Sequence, residues 1–216
     1  MFNFENVKYK NILDIENLHI EKNKVTCIVG ESGSGKTTLL KLFNKLISPD
    51  SGVIKYVDKY MKDVDSVELR REVVMLPQSP AIYKGTVKEN LLIGLKFSEK
   101  EDVIDDNSLK DILKEVNLNK KLDEDAEKIS GGEQQRLALG RIILLDPNVY
   151  LLDEPSSALD EETEHLVIEK MVKHVRKTNK TLIMVTHTKR IAEEFGDNIV
   201  EVKKGKIASQ GGVRNE

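Results

Sequence analysis

Gly30-Glu31-Ser32-Gly33-Ser34-Gly35-Lys36-Thr37-Thr38 is the stretch that decides the fold class. It meets every fixed position of the phosphate-loop pattern G-x-x-x-x-G-K-[ST]. Before it, Val25-Thr26-Cys27-Ile28-Val29 is a short apolar, β-branched run that reads as a buried strand. After it, residues 39–46 read as a helix. Gly30, Gly33 and Gly35 let the backbone curl so that successive N–H groups face inward. With the helix start they form a cradle for anionic phosphates. Lys36 then reaches the β- and γ-phosphates, and the Thr37 hydroxyl suits Mg²⁺. The plain alternative is a Gly/Ser-rich connecting loop. The strand before and the helix after weigh against it.

The chain has 216 residues, a size that suits one domain. Hydrophobic residues make up 39%, enough for a core, and the 33% charged residues are spread rather than blocked. A net charge of −3 gives no basic field, so no nucleic-acid partner is expected. The single cysteine, Cys27, forbids an intramolecular disulfide and points to a reducing compartment. In an apolar strand it reads as a small buried hydrophobe rather than a reactive thiol. The N-terminus lacks the basic start and apolar stretch of a signal peptide. No apolar run reaches the roughly 18 residues of a membrane span. The expectation is a soluble cytoplasmic protein, with binding to an integral membrane partner left open.

Strand-like runs occupy residues 2–9, 12–20 and 24–30, although alternation in the second is only partial. Residues 48–52 are a breaker, 53–57 a strand, 66–71 a short helix, and 72–77 an apolar strand ending at Pro77. Residues 86–94, 108–116 and 131–145 read as helices, with polar connectors at 98–107 and 117–127. From Pro147 strand and helix alternate: 149–152, 161–177, 181–186 and 189–195. A hairpin of 199–203 and 206–209 turns at Lys204-Gly205. The pattern predicts one α/β domain over residues 1–216. Its catalytic core covers about 1–85 and 147–216, and a helical subdomain is inserted at about 86–146.

The run Val149-Tyr150-Leu151-Leu152-Asp153-Glu154 ends an apolar strand in two carboxylates. That places Asp153 at the C-terminal edge of a parallel sheet, where α/β sheets bind ligands. Asp153 suits a Mg²⁺ shell and Glu154 a general base for water. Alone, such a run also arises where a turn begins; a phosphate loop upstream makes it specific. Ile129-Ser130-Gly131-Gly132-Glu133-Gln134-Gln135-Arg136 opens another helix and reads as a second anion-binding start, or as an N-capped glycine turn. One nucleotide does not need two cradles in one chain. The mismatch implies two copies, each offering a cradle to the other's nucleotide.

In this order and spacing the motifs resemble those of the nucleotide-binding subunits of ATP-binding cassette (ABC) transporters, over essentially the whole chain. The resemblance implies a P-loop NTPase (RecA-like) core with an N-terminal antiparallel β subdomain and an inserted α-helical subdomain. Residues 129–133 resemble the family signature, with Ile129 for the commoner Leu and Glu133 for the commoner Gln. By the same resemblance Gln78 joins Mg²⁺, the attacking water and the transmembrane partner. Residues 157–160 resemble the loop that crosses the dimer interface. His187 resembles the switch histidine at the γ-phosphate, with Thr188 where Asp is common. Tyr9 matches the aromatic that stacks on adenine. His19, His165 and His174 gain nothing from the resemblance and stay structural or surface groups.

The implied activity is hydrolysis of ATP, with Mg²⁺, in a head-to-tail homodimer or pseudo-dimer. Glu154, His187, Gln78 and Lys36 are the catalytic candidates, and Thr37, Gln78 and Asp153 the metal candidates. The nucleotide candidates are Tyr9, the loop from Gly30 to Thr38, and Ser130, Gly131, Gly132 and Glu133. The implied partners are separately encoded integral membrane permease subunits, with the chain peripheral on the inner face of the cell membrane. Residues 76–91 are similar to exporter-type subunits and to stand-alone subunits linked to iron or other metal-ion export. The rival readings are ABC-type ATPases of DNA repair and of translation. The first carries a long coiled coil between the halves, whereas only residues 79–129 lie between Gln78 and Ser130. The second carries tandem cassettes, and this chain has one phosphate loop.

Overall fold

The computed structural model describes residues 1–99 and 103–212. The main sheet has six strands in the order β10-β9-β3-β8-β7-β6. These are β3 (Val25–Val29), β6 (Val73–Leu76), β7 (Val149–Asp153), β8 (Thr181–Val185), β9 (Asn198–Lys203) and β10 (Lys206–Gly212). All neighbours are parallel except β10, which runs antiparallel on β9. The central strands are buried and mostly apolar, as strands covered on both sheet faces are. On one face Cys27, Tyr150, Leu152, Leu182 and Met184 share a core with α6 (Glu161–Lys177), α7 (Lys189–Phe195) and the helices between β6 and β7. On the other, Ile28, Val149, Leu151, Ile183 and Val185 share a core with α1 (Lys36–Phe43) and a second sheet. Cys27 is fully buried, and that burial, helped by Asp197, pushes its thiol up to about 12.

The second sheet is antiparallel, β2-β1-β4-β5, formed by β1 (Phe2–Tyr9), β2 (Leu13–Ile20), β4 (Ser51–Tyr56) and β5 (Lys59–Tyr60). Its geometry explains the partial alternation. Phe2 and Phe4 are buried on β1, then Val7; Leu13 and Ile15 are buried on β2, then Leu18 and Ile20. Both strands change parity at the same rung, where Asn6 takes φ 51°, and the pairing continues from Glu5–Asn17 to Val7–Ile15. The register with β4 shifts at the same place. Phe43 meets Phe2 and Phe4 edge-on at 4.9 and 5.0 Å. Such pairs contribute about 0.5–1.5 kcal/mol each beyond their area, and they fasten α1 to β1.

Several boundaries differ from the sequence expectation. α1 spans Lys36–Phe43 rather than 39–46. It starts early because the loop glycines lead directly into it, and it ends early because Lys45 turns to φ 57°. β4 starts at Ser51, inside the expected breaker, and β10 continues to Gly212. β5 and a 3₁₀ turn at Met61–Asp63 are too short to leave a periodic signal. α2 (Ser66–Glu72) is capped by Asp65. α3 (Val87–Phe97) outruns residue 94 because Gly94 faces Arg141 and Leu145 of α5 (Gly131–Leu145). α4 (Asp106–Glu115) starts two residues early on an Asp105 cap. Residues 100–102 of the expected connector at 98–107 lie outside the described residues. α3, α4 and α5 all lie within residues 86–146.

Candidate active site

The order β3-β8-β7-β6 brings four strand ends to one edge of the sheet. β3 runs into the loop at Gly30, β8 into Thr186 and His187, β7 into Asp153 and Glu154, and β6 into Pro77 and Gln78. Residues more than 150 positions apart in sequence thus share one strip.

Gly35 caps α1 at φ 105°, a conformation that side chains rarely adopt, and a Cβ there would lie 2.7 Å from Leu13 Cδ2. Among the described helices of eight or more residues, α1 alone has no side-chain cap, and its first turn holds no acid. Its first amides therefore lack a side-chain acceptor, the arrangement in which a helix start can take an anion. Ser34 Oγ is buried without a partner. Lys36, 5% exposed, donates from Nζ to Gly30 O and Glu31 O at 2.8 Å each. Burial lowers its pKa, against the opposing pull of Glu154 and then Asp153. Glu31, Ser32 and Gly33 are exposed at the tip of the loop, and Thr38 lies in the first turn of α1.

Thr37 Oγ1 donates to Asp153 Oδ1 at 3.0 Å. Asp153 is 3% exposed, and burial raises its pKa, opposed first by the Thr37 hydroxyl. A hydroxyl beside a buried carboxylate is a hard oxygen donor set of the kind that Mg²⁺ takes with phosphate oxygens and water. Among the described residues, no three His, Cys, Asp or Glu side chains are placed to hold a metal ion between them. The donor set thus fits a cation held partly by its substrate.

Glu154 is where the strand ends converge. Its Oε2 accepts from Gln78 Nε2 at 2.7 Å, and its Oε1 pairs with His187 Nε2. Its backbone has φ 49°, held by Glu154 N donating to Val185 O at 3.1 Å. Strained backbone of this kind persists only where the surroundings impose it. Glu154 is 15% exposed at its side chain and His187 49%, so the carboxylate sits at the bottom of a mouth that the imidazole lines.

Tyr9 is half-buried at the end of β1, paired with Leu13, with Lys10 Nζ 5.3 Å from its ring centroid. Because Leu13 packs against Gly35, the β1–β2 turn abuts the phosphate loop. The β9–β10 turn joins them: Gly205 N donates to Ser34 O at 2.9 Å, and Asp14 N to Gly205 O at 2.8 Å.

Ser130 caps α5 in a capping box. Glu133 N donates to Ser130 Oγ at 3.4 Å, and Ser130 N to Glu133 Oε2 at 2.8 Å. Glu133 also pairs with Lys120 at 3.2 Å. Ser130 and Gly131 are exposed, and nothing lies within 4 Å of a Cβ at Gly131. Among the described residues, no hydrogen bond or ion pair joins 130–132 to the loop at 30–38. The remaining histidines lie elsewhere. His174 joins Glu115 and Tyr150, His165 joins Glu194, and His19 joins Asn3.

Residues 13–157 match the profile of the ABC transporter family. The chain belongs to that family. It is 35% identical to the transport/processing ATP-binding protein ComA of Streptococcus pneumoniae, across 96% of this chain and 30% of that protein. It therefore spans less than a third of that relative's length. It is 30% identical to the tungstate uptake system ATP-binding protein TupC of Peptoclostridium acidaminophilum, across 93% of this chain and 92% of that one. Its fold superposes with a TM-score of 0.88 on a dimeric ATP-binding cassette in a post-hydrolysis state bound to ADP and Pi. That structure is 28% identical, with all of both chains covered. The family member described here has the P-loop α/β fold expected from its sequence, and it is an ATP-binding ATPase.

Gln135 escaped the sequence reading. It is 3% exposed on the core side of α5, and its Nε2 donates to Glu154 O at 3.1 Å. The available signal was a polar residue three and four places before Ala138 and Leu139, on the apolar face.

Proposed function

We propose that the chain hydrolyses ATP in a head-to-tail sandwich of two copies and so drives transport through separate integral membrane subunits. The loop amides and Lys36 bind the phosphates of one nucleotide, with Ser130 and Gly132 of the other copy closing over it. Tyr9 stacks on the adenine. Thr37, Gln78 and Asp153 would hold Mg²⁺, which neutralises charge on the β- and γ-phosphates. Glu154 orients the attacking water and takes its proton, while His187 turns toward the γ-phosphate. Closure excludes other water. The observation that carries this reading is the Glu154 carboxylate held between Gln78 and His187 beside the Thr37–Asp153 pair.

No helix among the described residues is long and apolar enough to cross a membrane. The chain would act from the cytoplasmic face, docked on its permease by the residues after Gln78 and by the helices at 86–146. The finer assignment, metal-ion export with iron first, rests on the resemblance of residues 76–91 alone. TupC is named for tungstate uptake, and a relative of Clostridium tetani, 32% identical, is named for methionine import. The rival roles in DNA repair or translation have no observation in their favour.

The decisive experiment is Glu154→Gln, which keeps size and hydrogen-bonding reach but cannot accept a proton. Hydrolysis should fall by ~10²–10⁴ while ATP binding survives, and the chain should accumulate as a dimer with Mg-ATP. Phosphate release and light scattering read both. Retained full activity would remove Glu154 as the base. An inactive variant that stays monomeric with ATP, alone and with permease, would remove the sandwich.

A further inference from the structure

The helix that begins at Ser130 and the carboxylate of Glu154 are tied together by one buried amide. Gln135 Nε2 donates to Glu154 O at 3.1 Å, and Gln135 Oε1 accepts from Ala158 N at 3.4 Å. The two partners fix the amide's orientation, since a flip would oppose oxygen to carbonyl and NH₂ to N–H. Glu154 O also accepts from Ser157 N at 3.2 Å. That carbonyl belongs to the residue at φ 49° whose carboxylate meets Gln78 and His187. Any rotation of its peptide swings the carboxylate.

A second contact makes the link stiff. A Cβ on Gly132 would lie 2.9 Å from Leu159 Cδ2 and 3.1 Å from Ala158 O. The first turn of α5 therefore rests directly on residues 158–159. α5 cannot shift or turn without pushing the segment from Glu154 to Leu159, and Gln135 pulls on both ends of that segment.

We propose that Gln135 is a positioning residue that couples the two nucleotide sites of the dimer. It rests on the reading above, in which Ser130 and Gly132 face the partner's nucleotide. Five residues along the same helix, Gln135 holds the base of the chain's own site. Arrival of the partner's γ-phosphate at Ser130 moves α5, and Gln135 passes that movement to the Glu154 peptide. Each site then reaches its working geometry only when the other is filled.

The test compares Gln135→Met and Gln135→Glu in the full chain. Met keeps the length and loses both bonds. Glu keeps the acceptor for Ala158 N but sets an oxygen against Glu154 O. Both should retain the wild-type Kd for Mg-ATP in the dilute chain, because the phosphate loop is untouched. Both should lose roughly 10- to 100-fold in kcat, the scale of a small misplacement of a reacting group. A merely structural role would not produce the second result expected, non-additivity with Ser130→Ala. If Gln135 carries what Ser130 senses, the double variant Ser130→Ala/Gln135→Met is no slower than the slower single one. Unchanged kcat in the two Gln135 variants, or additive losses in the double one, would overturn the proposal. Should the Met variant melt early, the isosteric Glu variant with the same Ser130→Ala pairing decides. Failure of the underlying reading shows separately, as a wild-type chain that does not hydrolyse Mg-ATP.

Discussion

Two helices of this chain begin with glycine beside a Ser or Gly, yet their starts are built on opposite principles. α1 begins on Gly35 with no side-chain cap and no acid in its first turn. α5 begins on Ser130 with both halves of a capping box made and Glu133 in its first turn. The uncapped start is left open, with Lys36 folded over the loop, and in the proposed function a phosphate anion completes it. The capped start is complete without a ligand. The Ser130 oxygen accepts from Glu133 N, which leaves its hydroxyl proton free to donate outward. Glu133 carries a negative charge there, but Lys120 sits 3.2 Å away and offsets it. In the proposed function one start thus binds a nucleotide of its own chain, and the other serves that of a partner copy.

The largest effect expected from this contrast is at Lys36. Lys36→Ala removes the one buried cation at the uncapped start, so the phosphates lose their charge partner. It should abolish hydrolysis and weaken nucleotide binding in a titration of the dilute chain. Undiminished turnover would erase the distinction between the two starts.

Much of this contrast was legible in the residues themselves. The phosphate loop, the acid-ended strand and the second glycine start each have a local pattern. The long helices 131–145 and 161–177 followed from apolar spacing, and the structure gives them those bounds. Harder to read was anything set by a distant neighbour. The parity switch at Asn6 makes sense only once β1 is paired to β2. α1 begins at Lys36, not 39, because glycine geometry rather than periodicity starts it. Gln78, Glu154 and His187 lie far apart in sequence, and only the strand order brings them together. Gln135 lies on the apolar face of its helix, but only its two backbone partners, far away in sequence, show what it holds.

A smaller effect distinguishes the capped start. Ser130→Ala removes half of the capping box, which costs about 1 kcal/mol, or roughly 2–4 °C in Tm for a chain of this size. Nucleotide affinity of the dilute chain should not change, whereas ATP-dependent dimerisation should weaken. A loss of affinity in the monomer would mean that the α5 start serves its own chain. The box has a pH signature as well. Donation from Ser130 N, more than Lys120, holds the Glu133 carboxyl below its ordinary value of 4.5. A depressed folded-state pKa contributes stability above that value and loses it as pH falls through the folded value. Ser130→Ala keeps the backbone donor, so this acid limb of the unfolding profile should persist in the variant.

The smallest effect is at Tyr9, and it asks how far the α1 site extends. Tyr9 reaches that site only through its neighbours. It pairs with Leu13, Leu13 packs on Gly35, and Gly35 opens α1. A base lying beyond the phosphates would meet the ring at this corner, where Lys10 already sits 5.3 Å from its centroid. Stacking of an adenine on the ring is worth about 0.5–1.5 kcal/mol beyond buried area. Tyr9→Ala should therefore weaken ATP binding by that amount, whereas Tyr9→Phe, which keeps the ring and loses the hydroxyl, should bind as the wild type does. Equal losses in both would replace stacking with a hydrogen bond from the hydroxyl. No loss in either would confine the α1 site to the phosphates and leave Tyr9 as packing for the β1–β2 turn. A titration with ATP and with inorganic triphosphate separates these outcomes, since triphosphate has no base to stack and should bind all three chains alike.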